Sequence, residues 1–171
     1  MFFAPVTARK IYSELNYWKK KLHQIDFSPA FTDAVNNVYI EWFEPEQFLA
    51  DHKLFQNIDL YSVEDVNLGG KIDFEVMRDG RLHGFVGWFE AYLTDNIKIT
   101  TSPYEPPTHW ICTFFPIAEP LEVTKNDKIE FTFKNVSIGN DILWEWSGKV
   151  SRGTNILLTF RQKTKDYLVR Q

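Results

Sequence analysis

The residues best suited to acid–base or metal chemistry are the four histidines, His23, His52, His83 and His109. No two of them share an H-x-H or H-x-x-x-H spacing, and a single cysteine, Cys112, completes the set of soft ligands, so the ligand count argues against a structural zinc site. Nucleophilic catalysis needs a serine or cysteine beside a base. The chain has no G-x-S-x-G, and Cys112 stands among aromatics in a predicted strand, which reads as a small buried side chain. The eight glycines never form G-x-G, so no recognisable cradle for a dinucleotide, ATP or S-adenosylmethionine is present. Glu41, Glu44 and Glu46 form a loose acidic group suited to a cationic substrate, or to a solvated strand end. Trp88, Trp110, Trp144 and Trp146 lie on predicted strands. In a row on a sandwich face they would bind a glycan or peptide; filling the core, they would bind nothing. The most unusual segment is TTSPYEPPTHW, residues 100–110. Three prolines cut its freedom and hold His109 and Trp110 at the start of a strand, which makes it a site candidate.

These residues need elements to position them. The length of 171 residues suits one domain, 44% hydrophobic content is ordinary, and 28 aromatics promise a substantial core. The formal charge of −4 argues against a dedicated nucleic-acid binder. No apolar run is long enough to span a membrane as a helix, and the start has no signal-peptide pattern. Absence of a possible internal disulfide points to a cytoplasmic location. Residues 8–36 read as helical, with Ile11, Leu15, Trp18 and Leu22 on one face, Thr7 as N-cap, and Ser28 as the N-cap of a short second helix that opens on Pro29. From Val38 onward the pattern becomes strands and turns. These include VYIEWF, NIDLYSV (57–63), a hairpin turning at Arg78-Asp79-Gly80, THWICTFFPI, LEVT, and alternating strands around turns at 125–127, 139–141 and 152–153. The expected fold is mainly β: an antiparallel barrel or sandwich with an N-terminal helix-loop-helix arm.

At the proline loop the chain resembles a family. TSPYEPPTHW is similar to the THW loop of protein arginine methyltransferases. IDLYSV (58–63) resembles their first barrel strands, and LHGFVGWFEAYL (82–93) the strand with an HG…WF-acid pattern. YWKKKLHQIDFS (17–28) resembles their dimerisation arm, although His23-Gln24-Ile25 stands where Tyr-Gly often precedes the aspartate. The likeness spans about residues 1–150. It implies the C-terminal, substrate-side half of such an enzyme, with these parts: residues 1–6 as the strand leaving a separate S-adenosylmethionine-binding domain; 7–37 as the helical dimerisation arm; 38–164 as the β-barrel; and 165–171 as a tail. By the family's plan His109 supports catalysis from the barrel side. Trp110, with Thr108 beside it, lines the substrate cleft, and Glu44 of the acidic group is the carboxylate expected to face a cationic substrate, while Tyr17, Trp18 and Phe27 dock the arm on a second protomer. The methyl donor and the carboxylates that hold the guanidinium come from the other domain, so this chain alone is expected to be inactive and to bind no cofactor. The implied partners are that domain, a second copy, and an arginine-containing protein or peptide, with no nucleic acid and no membrane. The competing readings are a non-catalytic sandwich module using Trp88, Trp144 or Trp146, and a pure assembly domain.

Overall fold

A computed structural model describes residues 1–65, 67–138 and 141–165. In chain order the elements are β1 (Phe2–Val6), α1 (Arg9–Leu15), a 3-10 turn (Asn16–Lys19), β2 (Lys21–Leu22), β3 (Ile25–Asp26), α2 (Ser28–Val35) and β4 (Tyr39–Glu41). A second 3-10 turn (Pro45–Gln47) follows, then β5 (Lys53–Leu54), β6 (Gly69–Glu75), β7 (Gly80–Trp88), β8 (Glu90–Thr94) and β9 (Ile97–Thr100). The last strands are β10 (Cys112–Val123), β11 (Lys128–Ile138), β12 (Asp141–Arg152) and β13 (Asn155–Lys163). The architecture is mainly β and antiparallel, as expected. One sheet runs β4-β10-β7-β1-β5 and the other β13-β12-β11-β6. The two lie face to face, and the described pairings do not join them into one closed barrel.

Burial explains the sequence pattern of each strand. Sheet β13-β12-β11-β6 has one covered face, so Ile72, Phe74, Ile129, Phe131 and Phe133 alternate with polar residues. The other sheet is covered on both faces, and every residue of β7 from Leu82 to Trp88 is buried. One face meets the opposite sheet through Phe3, Phe85 and Phe115. The other meets the arm through Val6, Val86 and Phe114, packed with Ile11, Tyr12 and Leu15.

Strand β10 carries an irregularity between Pro116 and Leu121, where the ladder to β7 shifts register. Its carbonyls are satisfied from both sides. Trp146 Nε1 donates to Pro116 O at 2.6 Å, and the Tyr12 hydroxyl donates to Ile117 O. Pro116 stands opposite Gly84 where the regular β7 register ends, and β4 covers only residues 112–114, so the proline falls at the margin of the ladders.

Several expectations are corrected. The first helix ends at Leu15 rather than running on through Leu22, and the chain turns through His23 and Gln24, both at positive φ, into the β2–β3 hairpin. Ala8 occupies the N-cap position, because the Thr7 hydroxyl donates to Arg81 O at 2.9 Å. Ser28 is the first residue of α2, not its cap; its N–H donates to the Asp26 carboxylate at 2.9 Å. NIDLYSV is a turn, not a strand. The Asp59 carboxylate accepts from Tyr61 N–H and Ser62 Oγ, which ties the backbone up locally and leaves Leu60 and Tyr61 in solvent. Residues 71–88 form no hairpin: β6 pairs with β11, and β7 with β1 and β10. The backbone between them bonds elsewhere, Val76 N–H to Asp127 O and Met77 N–H to Leu49 O, which carries the chain from one sheet to the other. CTFFPI (112–117) and LEV (121–123) are parts of one strand, β10, whereas residues 108–111 precede it as a turn, so Trp110 does not lie on a strand as expected. Of the predicted turn 139–141, residues 139–140 lie outside the described residues, as do residues 166–171 of the tail.

Candidate functional site at the proline loop

The loop between β9 and β10 is fastened at its base by buried polar groups. Thr100 Oγ1 donates to Phe89 O at 3.0 Å and accepts from Ser102 N–H at 3.0 Å. Thr101 N–H donates to Phe89 O at 3.1 Å, and the Thr101 hydroxyl accepts from Phe89 N–H at 3.2 Å. The Cys112 thiol donates to Thr101 O at 3.2 Å; burial pushes its pKa up to about 12, so it is an inert thiol and not a nucleophile.

Further along, Tyr104 reaches into a ring cluster. It lies 5.2 Å from His52, 5.9 Å from Phe48 and 6.4 Å from Trp88, centroid to centroid. Trp88 is itself stacked between Phe2 and Phe48, each 5.9 Å away. Glu105 accepts from Lys98 Nζ at 3.1 Å, which ties the loop to β9 and raises the Lys98 pKa. The proline-rich stretch is thus clamped at both Tyr104 and Glu105.

The loop ends in a strained turn. Ile111 N–H donates to Thr108 O at 3.3 Å, and Ile111 sits at φ +35°, a conformation that a β-branched side chain rarely adopts. His109 is exposed and Trp110 is 58% exposed, with its ring 6.5 Å from that of Phe89. The Thr108 hydroxyl is buried with no hydrogen-bond partner. A cavity of about 440 Å³ opens behind Trp110 and Ile111, between the ends of the two sheets.

Thr108, His109 and Trp110 are consecutive residues of this turn. Glu44 does not join them through any bond it makes: its carboxylate accepts from Trp42 Nε1 at 2.8 Å and its N–H donates to Gln47 Oε1 at 2.9 Å, both within its own turn. The arm residues do cluster. Trp18 lies 6.2 Å from both Tyr17 and Phe27, and Tyr17 and Trp18 are exposed. The glycan-platform reading loses its basis, because Trp88 is 4% and Trp146 0% exposed, and Trp144 packs against the inter-sheet core. His83, singled out only as part of a pattern, is buried. Its Nδ1 accepts from Ala8 N–H at 3.2 Å, and its ring lies 4.7 Å from Tyr12. Neither the Tyr104 clamp nor the His83–Tyr12 contact carries a local sequence signal; both join segments some 50 to 70 residues apart. No group of acidic, histidine and cysteine side chains among the described residues is arranged to hold a metal ion.

Comparison with known proteins gives a consistent picture. The family model of the arginine methyltransferase oligomerization subdomain matches residues 1–147. Protein arginine N-methyltransferase 6 of Xenopus laevis is 30% identical over 141 residues, covering 75% of this chain and 42% of the relative. Protein arginine N-methyltransferase 2 of Xenopus tropicalis is 29% identical over 138 residues, covering 73% and 32%. Among solved structures, the Trypanosoma brucei PRMT1 enzyme-prozyme heterotetrameric complex with AdoHcy superimposes with a TM-score of 0.83 at 18% identity, covering 95% of this chain and 54% of that one. Arabidopsis thaliana protein arginine methyltransferase 10 superimposes with a TM-score of 0.74 at 16% identity, covering 95% and 58%. The chain spans 32% to 42% of the length of these curated relatives.

Proposed function

The chain belongs to the protein arginine methyltransferase family, whose oligomerization subdomain it carries, and on that premise we propose that it is the substrate-side wall and assembly arm of a methyl-transferring enzyme. In that enzyme a methyl group passes from the sulfonium of S-adenosylmethionine to a guanidinium nitrogen, which then releases a proton. Such a displacement depends on holding two reactants in line. The sequence has no glycine-rich cradle for the donor, so the cofactor and the carboxylates that face the permanently charged guanidinium belong to another domain. What this chain supplies is a fixed aromatic wall. Trp110 offers an indole face to a cation, and His109 beside it offers an imidazole. The Tyr17–Trp18–Phe27 cluster is the docking surface of the arm.

The observation that carries this reading is the clamped loop: prolines, the Tyr104 ring contacts and the Lys98–Glu105 pair hold His109 and Trp110 exposed at one place. A chimera tests it. This chain replaces the corresponding C-terminal region of the Xenopus laevis relative, and methyl transfer to an arginine peptide is measured. Transfer is expected, with a loss of tenfold or more for Trp110→Ala at unchanged unfolding temperature. A chimera that folds but has no activity, or full activity for the variant, overturns the proposal. Calorimetric titration of the chain alone with S-adenosylmethionine is expected to show no binding.

A further inference from the structure

The cavity behind Trp110 is the open end of the inter-sheet core. Its floor is made of core rings, Phe3, Phe115, Phe133 and Trp144, and its rim is made by Phe89, Ala91, Ile99, Trp110 and Ile111. The floor is sealed tightly. At Gly87 even a methyl group would sit 2.7 Å from the Phe3 ring and 3.2 Å from Phe115, so these rings close over the strand where no side chain intervenes. Nothing from the described core fills the space above them. The volume of about 440 Å³ lies within the range of small-molecule sites.

The lining decides the chemistry of an occupant. No side chain around the cavity carries a charge, and the Met1 ammonium on its lining donates to Gln56 O at 2.8 Å; the lining side chains with hydrogen-bonding groups are Thr101, Thr113 and the tryptophan indoles. A cation entering would lose its hydration against an apolar lining that already holds the Met1 ammonium. The guanidinium of the proposed function therefore does not belong here. A flat apolar ring, by contrast, meets aromatic faces on several sides. The Thr101 hydroxyl already accepts from Phe89 N–H, which leaves its own proton to donate to an acceptor on the ligand.

We propose that this cavity is a binding site for an uncharged aromatic small molecule, about the size of two fused rings with one hydrogen-bond acceptor. Because Trp110 and Ile111 form its wall, such a ligand touches the segment that presents His109, and occupancy reports directly on the loop. The proposal goes beyond the methyltransferase reading and does not rest on it.

The test uses the full 171-residue chain and two probes of matched shape, neutral 2-acetylnaphthalene and cationic 2-naphthylmethylammonium. Tryptophan fluorescence is titrated with each, and binding is mapped by the indole N–H resonances of the unmodified protein. The neutral probe is expected to bind saturably at one site, at least tenfold tighter than the cation, shifting Trp110 and Trp144 but not Trp18 or Trp42. Ala91→Trp, which fills the cavity from its rim, weakens it tenfold or more. Thr101→Val weakens the ketone severalfold but leaves unsubstituted naphthalene unchanged. Non-saturable binding, equal affinity for the cation, or shifts centred on Trp18 or Trp42 overturn the proposal. The mapping on the unmodified chain decides the matter even where a variant fails to fold.

Discussion

Tyr12→Phe removes a single oxygen, and its cost can be worked from the structure. The Tyr12 hydroxyl donates to the Ile117 carbonyl in the stretch where β10 has lost its ladder register. Tyr12 is 2% exposed and Ile117 0%, so no bulk water reaches the orphaned carbonyl. Leaving a buried acceptor unpaired costs about 1–3 kcal/mol, of which the middle value, about 2 kcal/mol, is expected here. For a domain of this size each kcal/mol lowers the unfolding temperature by about 2–4 °C, so the variant melts about 4–8 °C lower. Burial pushes the Tyr12 pKa far above its ordinary value, so the phenol stays neutral and the loss is the same from pH 6 to pH 9. Tyr39→Phe is the control. Its hydroxyl donates to Ala34 O at 2.7 Å from a half-buried position that water partly replaces, so it costs less. Thermal unfolding followed by far-UV circular dichroism measures both. A Tyr12→Phe midpoint within 1 °C of the parent, or a larger loss for Tyr39→Phe, refutes the view that the arm is bolted to the β10 irregularity by this bond.

Three further outcomes follow from the same packing. Burial lowers the His83 pKa below its ordinary 6.5, so the fold holds the neutral ring, and the unfolded chain takes up a proton first as pH falls. Stability from this group is complete above pH 6.5 and declines below it; urea midpoints between pH 8 and pH 5 are expected to drop, and His83→Gln to flatten that slope. Asp127 is buried and accepts from Arg152 Nε and a terminal guanidinium nitrogen, each at 2.9 Å, and from Thr124 N–H at 2.9 Å. Its pKa is held below 3.8, chiefly by the Arg152 bonds, so its contribution is complete above that value and is lost as pH falls further. Asp127→Asn is expected to melt roughly 5 °C lower at pH 7, with the difference from the parent shrinking in acid. A Cβ at Gly84 would stand 2.2 Å from the Phe115 carbonyl oxygen, whereas one at Gly69 would stand 3.4 Å from Lys134 Cβ. Gly84→Ala is therefore expected to break the β7–β10 pairing and to yield insoluble or heavily destabilised protein. Gly69→Ala should stay within about 0.5 kcal/mol of the parent by chemical denaturation.

Much of the fold was legible because one-sided burial leaves a period-two mark. Ile129, Phe131 and Phe133 read as a strand and are one. The same rule misled at NIDLYSV, where alternation arose from a capped turn whose apolar side chains reach solvent, and in the arm, where a helical stripe continued on paper past the point at which Leu15 last touches the core. Pairing was less legible than strand existence. Asp79-Gly80 looks like a hairpin tip, yet β6 and β7 belong to different sheets because carbonyls remote in sequence, Leu49 and Asp127, take up the connecting N–H groups.

The loop shows where local reading stops. Its prolines announced rigidity, and His109 and Trp110 announced chemistry, but proline alone restricts a segment without saying where it points. The direction is set by Tyr104 lodging against His52, Phe48 and Trp88, three side chains from two other segments, and by the Lys98–Glu105 pair. Those contacts depend in turn on Phe2 and Phe48 holding Trp88 between them. The placement of the exposed indole is thus a tertiary property. A substitution at His52 or Tyr104 should loosen residues 103–110 to hydrogen exchange while leaving β10 protected, because Phe114 and Phe115 keep that strand in both cores. Equal loss of protection along β10 would mean that the ring cluster supports the sheet itself rather than the direction of the loop.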